Sequence, residues 1–508
     1  MKRQPGVITF LYFFLFLFST VLQGSVIDSF IGGPVLSKPK KDAISISLIA
    51  SLSTDCYVEF GTSPGNYTHA IGASQTLLPT VEPVLKLEAE TPVELQLYGL
   101  DENTRFYYRL RAREHGSTGT YEAGPEHSFT TSRPAGEYFN FAFLTDSHVG
   151  HGWDFCPNCW LMGNRTIANA IGRSPDFFIV GGDDACTDGI GFPLDGSNEA
   201  EARYSWVRHF YGPLANKAPI FLVLGNHEGE GGFHRQDIRD ASYEARKKYF
   251  YNPDSTTYPF GGGSRDNYFA WEWGDALFIC LDIFAYTGTT DPKHIEPYGS
   301  GWHLGMGQLA WLRFVLSHSE ARWKFIFAHH ILASWEFDGY GRGGAKYAHD
   351  FEQGAIHQLM LDYGARIFFY GHDHVFADGV ADGIHYTLDS QCFGIYQPSW
   401  TIPDSPEYPY FVDAYPDGFL QGKGYIQVRV GPRSVWVDFV KSSLDSTTNN
   451  QIIYNYHLAD VTVKLIPPPD LDIPLELISP GGLHLPGEEP FFRAVFTNET
   501  EKIQSFDY

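Results

Sequence analysis

Positive charge is what this chain is shortest of. Its 508 residues carry 36 Lys and Arg against 60 Asp and Glu, a formal net charge of −24. A surface of that sign repels phosphate backbones and anionic headgroups, so scaffold binding to nucleic acid or to acidic lipid is disfavoured. Long apolar runs are also scarce: beyond Val7 to Leu22 no segment is long and apolar enough to span a bilayer. Gly261-Gly262-Gly263 lacks both the lysine and the strand-to-helix setting of a nucleotide-binding loop and reads as a turn. What is plentiful is core material, 43% hydrophobic and 16% aromatic residues, in a chain long enough for two or more domains.

The first 24 residues place Lys2 and Arg3 before the uncharged stretch Val7 to Leu22, then Gln23, Gly24 and Ser25. This predicts a signal peptide over 1–24, cut after Gly24, and a secreted, periplasmic or cell-surface protein; an uncleaved anchor is the alternative, for which the stretch is a little short. No transmembrane segment is expected after cleavage. Export would put the six cysteines in an oxidising compartment. Cys156-x-x-Cys159 then reads as a structural disulfide and Cys280, within an apolar run, as a buried free thiol, with the remaining connectivity open.

From Ile27 to Thr131 short alternating runs such as Ile44 to Leu48 and Phe106 to Ala112 are separated by Gly, Pro and Asn, which predicts an all-β sandwich over 25–132. Cys56 to Gly61, Leu97 to Leu100, Thr104 to Arg109 and Ser128 to Thr131 resemble an immunoglobulin-like or fibronectin type III-like module, in which Tyr107 or Tyr108 would tie its strand to the preceding corner. After a linker at 132–136 the texture changes. Buried-strand runs at Phe139 to Leu144, Phe177 to Val180, Ile220 to Leu224, Leu277 to Leu281, Phe325 to Ala328 and Ile367 to Tyr370 alternate with helical spacing at Asn164 to Ile171, Glu199 to Phe210 and Gln308 to His318. These predict an α/β domain over 137–445. A Pro- and Gly-rich extension, 446–508, follows, with one strand near Ile452 to Tyr456.

Five polar clusters close apolar runs in this domain: Asp146-Ser147-His148, Gly182-Asp183-Asp184, Gly225-Asn226-His227-Glu228, His329-His330 and Gly371-His372-Asp373-His374. Asp, Asn and His supply oxygen and imidazole donors, and strand ends gather them at one sheet edge, where a pair of cations could sit. In order and wording the clusters resemble the calcineurin-like metallophosphoesterase superfamily, whose pattern is Asp-x-His, Gly-Asp, Gly-Asn-His-Asp/Glu, a lone His and Gly-His-x-His.

That resemblance implies a four-layer αββα sandwich and two metal ions (Zn, Fe, Mn or Ni). Asp146, His148 and His374 would hold one ion, Asn226, His329 and His372 the other, and Asp183 both. Two divalent ions held by two carboxylates leave a local charge of about +2, which outweighs screened surface charge at contact distance. A hydroxide bridging the ions would attack phosphorus while His227 serves the leaving oxygen. Asp184 and Asp373 are expected to orient ligands or cap helices, His330 and His151 to lie near the substrate, and Arg342, in the glycine-rich stretch 338–344, to hold its phosphate. The order of sandwich and hydrolase is similar to that of plant purple acid phosphatases, but His148 stands where that family has Gly and Cys186 where it has the Tyr ligand. The expected activity is hydrolysis of small phosphate monoesters. The alternatives are a phosphodiesterase for cyclic nucleotides or glycerophosphodiesters, separable by pocket walls at 150–160, 335–346 and 391–400, and a glycan- or partner-binding protein with an inactive hydrolase. Competent donors at all seven positions weigh against the last.

Overall fold

The computed structural model describes residues 25–78, 83–151, 158–189, 196–232, 234–287, 302–332, 352–391, 422–459, 463–466, 493–497 and 503–507. The chain begins with a β-sandwich. Val35–Ser37, Ala43–Leu48 and Val93–Tyr98 form a three-stranded sheet, and a second sheet runs His127–Thr130, Arg105–Glu114, Thr54–Gly61, His69–Ile71, Gln75–Leu77, with Leu85–Leu87 and Glu122–Ala123 at its margins. Alternation in Arg105–Glu114 buries Phe106, Tyr108, Leu110 and Ala112, which pack on Ile44, Ile46, Leu48 and Leu97 of the facing sheet. Of the two tyrosines expected to tie this strand to its corner, Tyr107 or Tyr108, Tyr108 bonds elsewhere. Its hydroxyl donates to the carbonyl of Asn216 in the next lobe, 2.9 Å away.

The α/β lobe holds two six-stranded sheets face to face. The first runs Ile220–Leu222, Phe177–Val180, Phe139–Leu144, Lys423–Val430, Ser434–Ser442, Ile452–Ala459, its first three strands parallel and the rest antiparallel. The second runs Phe269–Trp273, Ala276–Cys280, Trp323–Phe327, Ile367–Tyr370, Ile384–Leu388, Ala377–Ala381, with four parallel strands at its centre. Phe139–Leu144, Phe177–Val180, Ala276–Cys280 and Ile367–Tyr370 are almost wholly apolar because both faces are covered. Phe139, Phe141 and Phe143 face the other sheet, and the ring of Phe141 lies 5.4, 5.1 and 5.6 Å from those of Phe177, Phe278 and Phe325. Ala142 and Leu144 face outward onto helices Cys159–Gly172 and Gly196–Ala215. On the far side Leu277, Ile279, Ile326 and Phe368 meet Leu312, Val315, Ile356 and Met360 of helices Gly305–His318 and Gln353–Tyr363. The layers are therefore helix, sheet, sheet, helix.

The stretch after 445 is more regular than its composition suggested: Ile452–Ala459 is an edge strand of the first sheet, and Val463–Ile466, Arg493–Thr497 and Ile503–Asp507 form a small antiparallel sheet. Among the described residues no helix is long and apolar enough to cross a membrane. Cys159 is disulfide-bonded, whereas Cys56, Cys186 and Cys280 are buried free thiols.

The sandwich is bolted to helix Gly196–Ala215 by Arg208, which is fully buried and bonds main-chain carbonyls and, at 3.0 Å, Ser47 Oγ. Its guanidinium donates to the carbonyls of Ile31 at 2.7 Å, Gly33 at 3.2 Å and Ser47 at 2.9 Å, and to that of Tyr249. The same junction buries His127 between the Tyr108 ring and Lys217, whose Nζ lies 3.3 Å from His127 Nδ1. Burial first, and the Lys217 charge second, lower the His127 pKa to about 4. The unfolded chain thus binds a proton that the folded chain refuses between about pH 6.5 and 4, so stability falls as pH drops through that window. In denaturant titrations His127→Gln should flatten this part of the pH profile, removing a decline of at most about 3 kcal/mol; an unaltered profile counts against the assignment.

Candidate metal centre

Parallel strands deliver their following residues to one edge, and here the edges of both sheets coincide. Asp146 follows Phe139–Leu144, Asp183 follows Phe177–Val180 and Asn226 follows Ile220–Leu222 in the first sheet, while His329 follows Trp323–Phe327 and His372 follows Ile367–Tyr370 in the second. The turns are tight enough to force left-handed backbone on residues with side chains: φ is 54° at Asp146, 48° at His148, 57° at Asp183, 53° at Cys186, 78° at His372 and 63° at His374. Such conformations persist where surrounding bonds over-determine them. Here Asp146 N donates to Gly182 O, His148 N to Asp183 O and Gly150 N to Asp184 O, zipping the first two turns together. Gly182, at φ 100°, has to be glycine, since a Cβ there would stand 2.5 Å from Gly225 N and 3.0 Å from His329 Nδ1.

The turns of the two sheets are then joined. Asp146 Oδ2 accepts from His372 N at 2.8 Å and from Thr145 Oγ1 at 2.8 Å, and His329 Nδ1 donates to Gly181 O at 2.8 Å. This leaves Asp146 Oδ1 and His329 Nε2 buried without a hydrogen bond of sound geometry. Around them Asp146, His148 and His374 bring ligand atoms within 4.8 Å of one another, as do Asp146, Asp183 and His329, and as do His329, His330 and His372. His374 Nε2 lies 3.2 Å from Asp146 Oδ1 and 3.1 Å from His148 Nε2, and His329 Nε2 lies 3.0 Å from Asp183 Oδ2. Burial disfavours the Asp183 carboxylate, yet His329 and His227 hold its pKa below the usual range. Buried, converging imidazole and carboxylate atoms with two orphaned among them fit divalent metal ions.

All seven expected ligands stand at this edge. His330 lies beside two of them: its ring centroid is 4.0 Å from that of His372 and its Nε2 is 3.3 Å from Asn226 Oδ1. Asp184 accepts from Ser147 Oγ and, at 2.7 Å, from Tyr211 OH, anchoring the first cluster to helix Gly196–Ala215. The His151 side chain, Arg342 and most of the three wall loops lie outside the described residues.

Other groups were not anticipated. Asp188, five residues past Asp183, accepts from His227 Nδ1 at 2.7 Å, while His227 Nε2 faces Asp183 Oδ2 at 3.9 Å. Glu228 does the most for the loops. Its Oε2 accepts from Gly225 N at 2.6 Å and Asp183 N at 2.8 Å, and its Oε1 from Asp184 N at 2.6 Å and Ala185 N at 3.2 Å. The acidic final letter of Gly-Asn-His-Glu was the available signal. Glu228→Gln should destabilise the protein by about 2–4 kcal/mol in denaturant unfolding, because either amide orientation turns an NH2 against two main-chain donors; wild-type stability contradicts this role.

Residues 139–376 match the family model for calcineurin-like phosphoesterases. Among curated proteins, Purple acid phosphatase 15 of Arabidopsis thaliana is 23% identical over 350 residues, 64% of this chain and 57% of that protein, so the chain spans little more than half of that relative's length. The purple acid phosphatase PPD1 from yellow lupin (Lupinus luteus) seeds superposes with a TM-score of 0.54 at 14% identity, covering 84% of this chain and 74% of that one. PhoD superposes with a TM-score of 0.58, also at 14% identity, over 87% of this chain and 90% of its own. At such identities the two structures show a shared fold. Over residues 139–376 the chain is thus similar to calcineurin-like phosphoesterases, and it shares its fold with these two solved structures.

Proposed function

We propose that the protein is an exported, two-metal phosphoesterase that hydrolyses small phosphate monoesters at the crevice around Asp183. The convergence of buried imidazoles and carboxylates on the orphaned Asp146 Oδ1 and His329 Nε2 carries this reading. In it Asp146, His148 and His374 hold one ion, Asn226, His329 and His372 the other, and Asp183 both. When bound, the ions supply Lewis-acid polarisation of the phosphoryl oxygens and acidify water.

The chain's own contribution is proton supply and orientation. Burial opposes a charge on His227, but Asp183 and then Asp188 outweigh it and raise its pKa to about 9. Asp188 accepts from Nδ1 and fixes the ring, which leaves Nε2 as the nitrogen that would hand a proton to the departing alkoxide. A monoester needs donors for its extra charge, and His227 with His330 offers them, which favours monoester over diester. The name of the Arabidopsis relative, an acid phosphatase, points the same way. The Cys159 disulfide supports export, since such bonds persist in oxidising compartments. The strand order of the N-terminal sandwich supports its reading as a fibronectin type III-like module.

Hydrolysis of an aryl phosphate monoester and its bis-aryl diester, with chelator and with added Zn, Mn, Fe or Ni, tests the proposal. The monoester should be the better substrate, with activity lost to chelator and restored by metal; a preferred diester or chelator-insensitive turnover would sink it. His227→Ala should lower kcat about 10²–10⁴-fold for alkyl phosphates, whose leaving group needs a proton, and far less for nitrophenyl phosphate. An equal loss on both removes His227 from the role of acid.

A further inference from the structure

His148 and Cys186, the two departures from the purple acid phosphatase pattern, stand 38 residues apart in sequence and meet in space. The Cys186 Sγ lies 3.3 Å from His148 Nδ1, and both side chains are buried. His148 turns its other nitrogen to the candidate ligand cluster, with Nε2 3.1 Å from His374 Nε2 and 3.7 Å from Asp146 Oδ1. A neutral imidazole carries one proton. When Nε2 presents its lone pair to the cluster, that proton is on Nδ1, facing the sulfur. The thiol's own hydrogen is directed at the Asp183 carbonyl, 3.9 Å away. The sulfur is held in place, since Cys186 sits at φ 53° and its carbonyl accepts from Arg203, itself paired with Glu199 at 2.6 Å.

We propose that Cys186 is the positioning residue of His148: its sulfur accepts the Nδ1 hydrogen and so fixes the tautomer and ring plane that turn Nε2 toward Asp146 and His374. The effect on metal affinity rests on the two-metal reading above; the tautomer rests on the geometry alone. Metal-bound histidines ordinarily give this hydrogen to a carboxylate or carbonyl. A thiol is a weaker acceptor, so it orients the ring while adding less to its basicity. This makes Cys186 part of the support of the first ion, without touching it.

Histidine-labelled full-length protein, with and without Zn2+, tests this by 15N NMR, the His148 signals being assigned by their loss in His148→Gln. The wild type should show the Nδ1–H tautomer, and Cys186→Ala should lose that preference. Zn2+ affinity, measured by chelator competition, should fall about 10- to 100-fold at one site in Cys186→Ala. It should fall less in Cys186→Ser, which keeps an acceptor on a shorter arm and guards against a folding defect. Co2+-loaded wild type should lack a sulfur-to-metal charge-transfer band. Wild-type tautomer and affinity in Cys186→Ala overturn the proposal, and a charge-transfer band overturns it by making Cys186 a ligand. If the wild type binds no Zn2+, the two-metal reading fails and the tautomer measurement alone decides the role of Cys186.

Discussion

The bond from the His372 main-chain amide to Asp146 Oδ2 sets the register between the two sheets. Asp146 ends a strand of one sheet and His372 follows a strand of the other, so this carboxylate decides how closely the two edges approach. Once one of its oxygens is used this way, the other is left facing His374 and His329 with no hydrogen bond of its own. The structural bond and the vacant donor position are two ends of one side chain. Glu228 does the corresponding work within the first sheet, gathering four main-chain amides from the Asp183 and Asn226 turns.

These contacts hold a strained edge on a stiff base. The left-handed residues at the centre each cost on the order of 1 kcal/mol or more. Behind them lies an interleaf of aromatic rings, with Phe141 and Phe278 each in contact with the other and with both Phe177 and Phe325. Rings locked on both sides cannot shift to let a turn relax, so the strain stays where the donors are. Arg208 extends the stiffness to the sandwich, its donors filled by carbonyls of both lobes and burial lowering its pKa to about 9, still charged at neutral pH.

The clusters were legible in the sequence because they sit at the ends of apolar runs, and those runs are strands buried on both faces. Phe139–Leu144, Phe177–Val180 and Ile367–Tyr370 are found where the runs were. Helices Gln236–Tyr249 and Gln353–Tyr363 were not anticipated: the first is too polar to announce itself, and the second follows a glycine-rich stretch. Strand Ala377–Ala381, Ala-Asp-Gly-Val-Ala, exists because Ile384–Leu388 pairs with it, which no local pattern reports. At the centre, the donor side chains could be read from residue chemistry, whereas their hydrogen-bond partners could not. Asp188, Glu228 and Cys186 acquire roles through contacts with residues distant in sequence. Tyr108 shows the converse, one of two hydroxyls offered for a corner within the sandwich, which bonds across the lobe junction instead.

Anomalous diffraction from crystals of the full chain grown with Zn2+ tests the central claim most directly. The account predicts two peaks about 3.5–4 Å apart flanking the Asp183 carboxylate, one beside Asp146, His148 and His374 and the other beside Asn226, His329 and His372. A single peak, or a pair remote from Asp183, would contradict it.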